Sequence, residues 1–378
     1  MDFTFTQEQK IWQETVRNFV ENELTPLAQK NDETQTFPME VVPKMGELKM
    51  WGVFVPEKYG GAGGTNLDWV IMMEEIGRAD ASMGISVLGH CHTTRAILAM
   101  GSDTQKAKYL PPLAGSLKLA GFGLTEPDVG SDAAAITTRA ARVNNSYVLN
   151  GTKAFISNAG VADVYVVFAR TGRERTAKGI SAFIVEADTA GFSVGKIENK
   201  MGIRSSMTGE LVLDDCTVST ENLLGPENDG FPELMKVFGI ERAGNSAISV
   251  GTAQAAMELA IEYTKQRPAF GKMVAEFQGV QWMIADMAIE IEAARLLVRQ
   301  GAALADQGLP HSEKVAIAKV LSNEMSMRVT TNVVQLMGAA GYSKEYPAER
   351  YMRDAKMFAI GGGTTQIQRT IIARGLLR

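Results

Sequence analysis

Residues 163–170, DVYVVFAR, cluster β-branched and aromatic side chains between polar breaks and read as a buried strand. Three further runs share that texture: SYVLNG (146–151), SAFIVEA (181–187) and GELVLDD (209–215), with Gly, Asn and Asp marking the turns between them. They define an antiparallel β region from Lys118 to about Leu223. On its N-terminal side, QKIWQETVRNFVENELTPLAQ (9–29) and LDWVIMMEEIGRADASMGISV (67–87) repeat apolar residues at helical spacing. Beyond Gly230 the helical pattern returns, in long Ala-, Met-, Leu- and Ile-rich segments expected to begin near Ala255, Val280 and Ser312. The expected architecture is mainly α with a central β domain: a helical region over 1–117, a β domain over 118–223 and a helix bundle over 224–378.

The chain has 378 residues, enough for two or three domains with a core that needs no staples. Lys plus Arg number 38 against 43 Asp plus Glu, a net charge of −5, with no long basic run, which argues against nucleic acid as a partner. Charges interrupt every apolar segment before membrane-spanning length, so no span is expected. Cys91 and Cys216 allow at most one disulfide and the chain opens on polar MDFTFTQEQK, so a cytoplasmic location is expected. Ala-rich helices with apolar residues on several faces point to self-association.

No P-loop, HExxH, G-x-S-x-G or strand-linked G-x-G-x-x-G is present, so hydrolase readings start low. His90, Cys91 and His92 form the one metal-like cluster. Residues two apart point to different sides of a helix and no fourth ligand is evident, so no metal is assigned. Gly361, Gly362 and Gly363 followed by Thr364, Thr365 and Gln366 make a turn that opens a helix and exposes backbone N–H groups to an anion. Arg267, Phe270 and Gly271 close one helix where Gln278 and Gln281 open the next. An arginine fixed at such a break can hold a diphosphate bidentately or simply face solvent.

Six motifs in order, GLTEPDVGSD (123–132), NGTKAFISNAG (150–160), KMGIRSS (200–206), RPAFGK (267–272), QLMGAAGY (335–342) and MRDAKMFAIGGGTTQIQR (352–369), resemble the acyl-CoA dehydrogenase family over nearly the whole chain. The resemblance implies a helical domain, a β domain and a C-terminal four-helix domain, assembled as a homotetramer with FAD between the β domain and the helices. Carried over residue by residue, Phe122, Leu124 and Thr125 line the flavin ring edge, Ser131 meets the diphosphate and the substrate, and Phe155 and Ser157 lie on the face and N5 side. Arg267, Phe270, Gln278, Gln335 and Gly338 reach FAD from a neighbouring subunit, and Thr364 with Gln366 completes the diphosphate and adenosine site. Ala339 departs from the family, which usually has a second glycine there.

Most members place the catalytic glutamate immediately before the Gly-Thr of the last motif, and this chain has Gly362 at that position. A minority, isovaleryl-CoA dehydrogenase among them, carry it on an earlier helix directly before an arginine, which here is Glu241 before Arg242. In base placement the chain therefore resembles the isovaleryl enzyme. The implied reaction is removal of a C2 proton by Glu241 as a hydride leaves C3, giving a 2-enoyl-CoA. Burial should raise that carboxyl toward neutrality, and the N–H at Gly362 serves the thioester oxygen, with Arg242 contacting the substrate or orienting the site. Two glycines beside the reacting carbons favour a branched, cyclic or aryl-substituted acyl group. Glutaryl enzymes place an arginine at a position matching Gly84, so a glutaryl substrate is disfavoured, while another dicarboxylate stays open. Electron-transfer flavoprotein is the implied acceptor. The alternatives are an acyl-CoA oxidase or flavin monooxygenase on the same fold, and a non-catalytic FAD-binding scaffold.

Overall fold

A computed structural model describes residues 4–173 and 176–377; residues 1–3, 174–175 and 378, which include both ends of the expected regions, lie outside it. Six helices come first: α1 Gln7–Phe19, α2 Thr25–Thr34, α3 Val42–Glu47, α4 Asn66–Ala79, α5 Ala81–Met100 and α6 Asp103–Ala114. Sequence sets their starts. Thr6 with Gln9, Thr65 with Asp68 and Ser102 with Gln105 form reciprocal capping boxes at α1, α4 and α6, and Asp80 caps α5. α5 is apolar or small on nearly every face, so it is buried on nearly all sides and packs against α4, α7 and β1.

The β domain contains β1 Ala120–Gly123, β2 Arg139–Val143, β3 Ser146–Ser157, β4 Val164–Arg170, β5 Ile180–Glu186, β6 Phe192–Ile197, β7 Thr208–Ser219 and β8 Leu223–Leu224. The sheet order is β6-β7-β3-β2-β4-β5-β8. The pairs are antiparallel except that β1 runs parallel to β4, and β2 meets β4 in parallel at one position. That departs from the wholly antiparallel sheet the turn-rich sequence suggests. β4 is buried along its whole length, as its unbroken apolar run requires. β3 shifts register against β7 between Lys153 and Ile156. This bulge holds Phe155 at φ 56° and turns its ring outward, 62% exposed.

The last region holds α7 Gly230–Gln266, a small hairpin of β9 Pro268–Ala269 and β10 Lys272–Met273, then α8 Gln278–Asp306, α9 Ser312–Met337, α10 Ala339–Tyr342, α11 Ala348–Phe358 and α12 Thr365–Leu376. The expected helix start near Ala255 is corrected: that residue lies well inside α7, which begins at Gly230. Gly239, Gly244 and the charged pair 241–242 interrupt the apolar period there. α7 is the axis of the molecule and packs on α4, α5, α8, α9 and α11. It meets α4 backbone to backbone: a Cβ on Gly77 would stand 2.5 Å from the Ile248 carbonyl oxygen, and one on Gly251 would strike Glu74 O. Asn323 of α9 donates to the Phe358 carbonyl at 2.6 Å and to Asn245 Oδ1 at 3.1 Å, tying α9, α11 and α7 together just before the glycine turn.

Candidate active site

Glu241 faces inward from α7 and is 1% exposed. It does not pair with its neighbour Arg242. Arg95 of α5 brings Nε into ion-pair contact with Oε1, and His92, one turn earlier on the same face of α5, places Nε2 3.2 Å from Oε2. Neither carboxylate oxygen completes a well-directed hydrogen bond. Burial drives the carboxyl pKa up, Arg95 opposes it, and the balance stands at about 7. His92 is pushed down to about 3 by burial and by the charges of Lys319 and Arg95, so its imidazole is neutral. Its ring packs at 4.8 Å from Phe238 and 5.6 Å from Phe122, whose own centroids are 5.3 Å apart. His90 points elsewhere, stacking edge-on with Trp51 and accepting the Ala120 N–H at its Nδ1.

Behind the glycine turn, fully buried Lys319 of α9 donates to the carbonyls of Gly361 and Gly362. Burial, then the charge of Arg242, holds its pKa well below that of an ordinary lysine. Arg242 has no carboxylate partner among the described residues, and its Nε is buried and unpaired. Gly362 sits at φ 65° and its N–H has no acceptor among the described residues. It remains available as a donor.

The β-domain edge is pinned from below. Lys153 on β3 pairs with Glu126 at 2.8 Å, and the same carboxylate accepts the Thr137 and Thr138 N–H groups and the Thr137 hydroxyl. Burial would raise the Glu126 carboxyl, but Lys153 and these donors outweigh it and bring it to about 2. Lys153 Nζ also donates to the Leu124 carbonyl at 3.2 Å, and Ala154 N–H to that of Thr125 at 2.9 Å, which fixes the loop beside Phe122. Across the molecule, Arg267, Gln335 and Gly338 line one cavity of about 590 Å³ that no β-domain residue reaches.

Models of the acyl-CoA dehydrogenase N-terminal, middle and C-terminal domains match residues 6–116, 121–216 and 228–377. The short-chain-specific acyl-CoA dehydrogenase of Clostridium acetobutylicum is 45% identical over 379 residues, covering 100% of both chains. Among solved structures, butyryl-CoA dehydrogenase from Megasphaera elsdenii has a TM-score of 0.98 at 41% identity, covering all of both chains. So does a chain in the structure described as the electron transferring flavoprotein of Acidaminococcus fermentans, at 42% identity and the same TM-score. The chain belongs to the acyl-CoA dehydrogenase family. It is an FAD-dependent oxidoreductase acting on acyl-CoA thioesters.

The residues of this acyl-CoA dehydrogenase fit FAD. Arg267 and Gln335 have side chains free of protein partners among the described residues, and the backbone of Gly338, at φ 61°, has nothing within 4 Å of where a Cβ would stand. A guanidinium, an amide and a bare backbone in one cavity suit a dinucleotide's phosphates. Phe270 is 97% exposed beside them, and Gln278 is exposed at the start of α8. On the β domain, Phe122, Leu124, Thr125 and Ser157 are half-buried, while Phe155 and Ser131 are exposed. Thr364 caps α12 by accepting the Ile367 N–H at 3.3 Å, and Gln366 is exposed in its first turn.

Two residues of the candidate site escaped the sequence reading. Arg95 follows His92 by three residues on a helix otherwise apolar or small, and Lys319 interrupts the apolar VAIAKVL run of α9. A cation interrupting an apolar run on a helix is the signal that marks both. Cys91 and Cys216 are free and buried. No helix among the described residues is long and apolar enough to cross a membrane.

Proposed function

We propose that Glu241 is the base that removes the C2 proton of the acyl-CoA. The observation that carries this reading is a fully buried carboxyl, held between Arg95 and His92 with a pKa of about 7, in a chain whose usual base position is Gly362. A carboxylate tuned to neutrality is ionised enough to act and basic enough to take a proton from carbon. FAD, when bound, supplies the acceptor for the hydride from C3. The free N–H of Gly362, steadied by Lys319 through the adjoining carbonyls, suits a donor to the thioester oxygen as charge develops there. Neutral His92 and the Phe122 and Phe238 rings form an apolar wall that keeps water from the carboxylate.

The acyl group we favour is branched, cyclic or aryl-substituted, because the turn at Gly361 and Gly362 presents backbone and no side chain. FAD is assigned to Phe122, Leu124, Thr125, Ser131, Phe155 and Ser157, and in a homotetramer to Arg267, Phe270, Gln278, Gln335 and Gly338 of a neighbouring copy, with Thr364 and Gln366. Ser131, Arg242 and Gly362 are assigned to the substrate, and electron-transfer flavoprotein is the acceptor. We retain 1–117, 118–223 and 224–378 as the domain limits.

Anaerobic bleaching of the flavin by a panel of acyl-CoA thioesters tests the base. Glu241→Gln should slow bleaching by about 100- to 10,000-fold, the range of general-base catalysis, while still binding thioester. Wild-type bleaching rates in that variant would end the assignment. Reoxidation that is slow with oxygen and fast with electron-transfer flavoprotein separates a dehydrogenase from an oxidase or monooxygenase.

A further inference from the structure

Arg95 has more hydrogen-bonding capacity than the chain around it uses. Its guanidinium lies 3.7 Å from the centroid of Phe54 and 4.6 Å from that of Trp69, a clamp that fixes its plane. Nε faces Glu241, while Nη2 is buried with no partner. A guanidinium offers parallel pairs of N–H donors, and one carboxylate cannot satisfy all of them. A buried donor left without an acceptor is costly unless a ligand supplies one.

Of the largely buried basic side chains Arg95, Arg242 and Lys319, only Arg95 contacts Glu241, while Lys319 Nζ is taken up by the Gly361 and Gly362 carbonyls. A neutral alkyl thioester leaves the free edge of Arg95 without an acceptor. The position of the guanidinium also limits the reach of any acceptor. Arg95 touches the group that takes the C2 proton, so an acceptor on the acyl group must lie only a bond or two beyond the reacting carbons. No side chain at Gly84 competes for this role, since the side chain of Ile248 fills the space where its Cβ would stand.

We propose that the acyl group carries a carboxylate close to C3, received by the free edge of Arg95, which makes Arg95 the residue that selects a short, branched dicarboxylic acyl-CoA. The inference rests on the reading of Glu241 as base, since that reading places Arg95 beside C2. A carboxylate at the free edge of Arg95 would satisfy Nη2 and leave the Arg95–Glu241 contact intact. An alkyl group of the same size would bury the guanidinium edge unpaired.

The probes are 2-methylsuccinyl-CoA and its uncharged counterpart 2-methylbutanoyl-CoA, tested on the FAD-loaded enzyme by spectral titration and anaerobic bleaching. Wild type should favour the carboxylated thioester by about 100-fold or more in kcat/KM, as sites built around a polar group do. Arg95→Met keeps a side chain between the two rings and should abolish that preference in both binding and kcat/KM, and Arg95→Lys should restore part of it. Equal use of the two thioesters by wild type, or an equal loss on both in Arg95→Met, would overturn the proposal. Glu241→Gln separates the two readings. If it keeps the binding preference without bleaching, both stand. If it bleaches normally but still binds the carboxylated thioester more tightly, the base assignment falls and the carboxylate site survives. Loss of the preference in binding overturns the carboxylate site.

Discussion

Lys319 Nζ lies 2.8 Å from the carbonyl oxygen of Gly362 and 3.1 Å from where a Cβ at that residue would stand. This turn is a bare backbone held from behind by the buried Lys319 side chain. Lys319→Met removes a buried amine whose acceptors are the Gly361 and Gly362 carbonyls, so stability should fall by about 1–3 kcal/mol. The turn also loses its anchor, and the bleaching rate should fall by about 100-fold, as for a lost oxyanion donor. Gly362→Ala must adopt φ 65° and push Nζ aside, and should cost about 1–2 kcal/mol. Thermal melts and stopped-flow bleaching separate the two effects.

The pH dependence of bleaching follows from Glu241. Burial lifts its carboxyl to about 7, so the active, ionised form accumulates as pH rises through neutrality. The rate should climb to a plateau with a midpoint near 7 and the slope of one proton. Stability runs the other way for this group: the unfolded chain releases its proton near 4.5 and the folded chain only near 7, so its contribution is lost as pH rises between them. A rate profile flat from pH 6 to 8 would contradict this.

His90 and His92 should make the protein acid-labile. Burial holds His90 down at about 3, and burial with the Lys319 and Arg95 charges does the same to His92, against 6.5 for a free imidazole. Each therefore contributes stability above pH 6.5 that is lost as pH falls toward 3. Melting temperatures measured between pH 7 and 5 should fall, and less steeply in His90→Gln.

Lys153→Met should loosen the flavin without touching it. The variant leaves Glu126 buried and without its cation, a change that costs about 3–5 kcal/mol for a broken buried pair. Because Lys153 also holds the Leu124 carbonyl, the loop beside Phe122 loses its anchor. Expected together are a lower melting temperature and a reduced FAD-to-protein ratio after desalting. Retention of full flavin content would place the cofactor's anchorage elsewhere.

The α, β, α order was legible because β4 and β5 are written as compact runs of Val, Ile and Phe, and because caps such as Thr65 announce their helices. The parallel pairing of β1 with β4 was not: AGFG is too short and too Gly-rich to declare a direction. Glu241 was found through its neighbour Arg242, yet its electrostatic partner lies 146 positions earlier, on a different helix. Spacing along the chain reports neighbours on one helix face, and Arg95 meets Glu241 only because α5 and α7 pack together. Lys319 escaped for the same reason: its acceptors are backbone atoms of a turn 42 residues away, which no residue pattern displays.

Where Gly77 and Gly251 let α4 and α7 touch through their main chains, no layer of rotamers lies between the two helices to soak up a displacement. Trp69, which braces Arg95, rides on one helix and Glu241 on the other. Guanidinium and carboxylate therefore share a single mechanical frame, and their spacing is set at a joint remote from the chemistry. Replacement of either glycine by a larger residue would detune the reaction from a distance, through geometry alone.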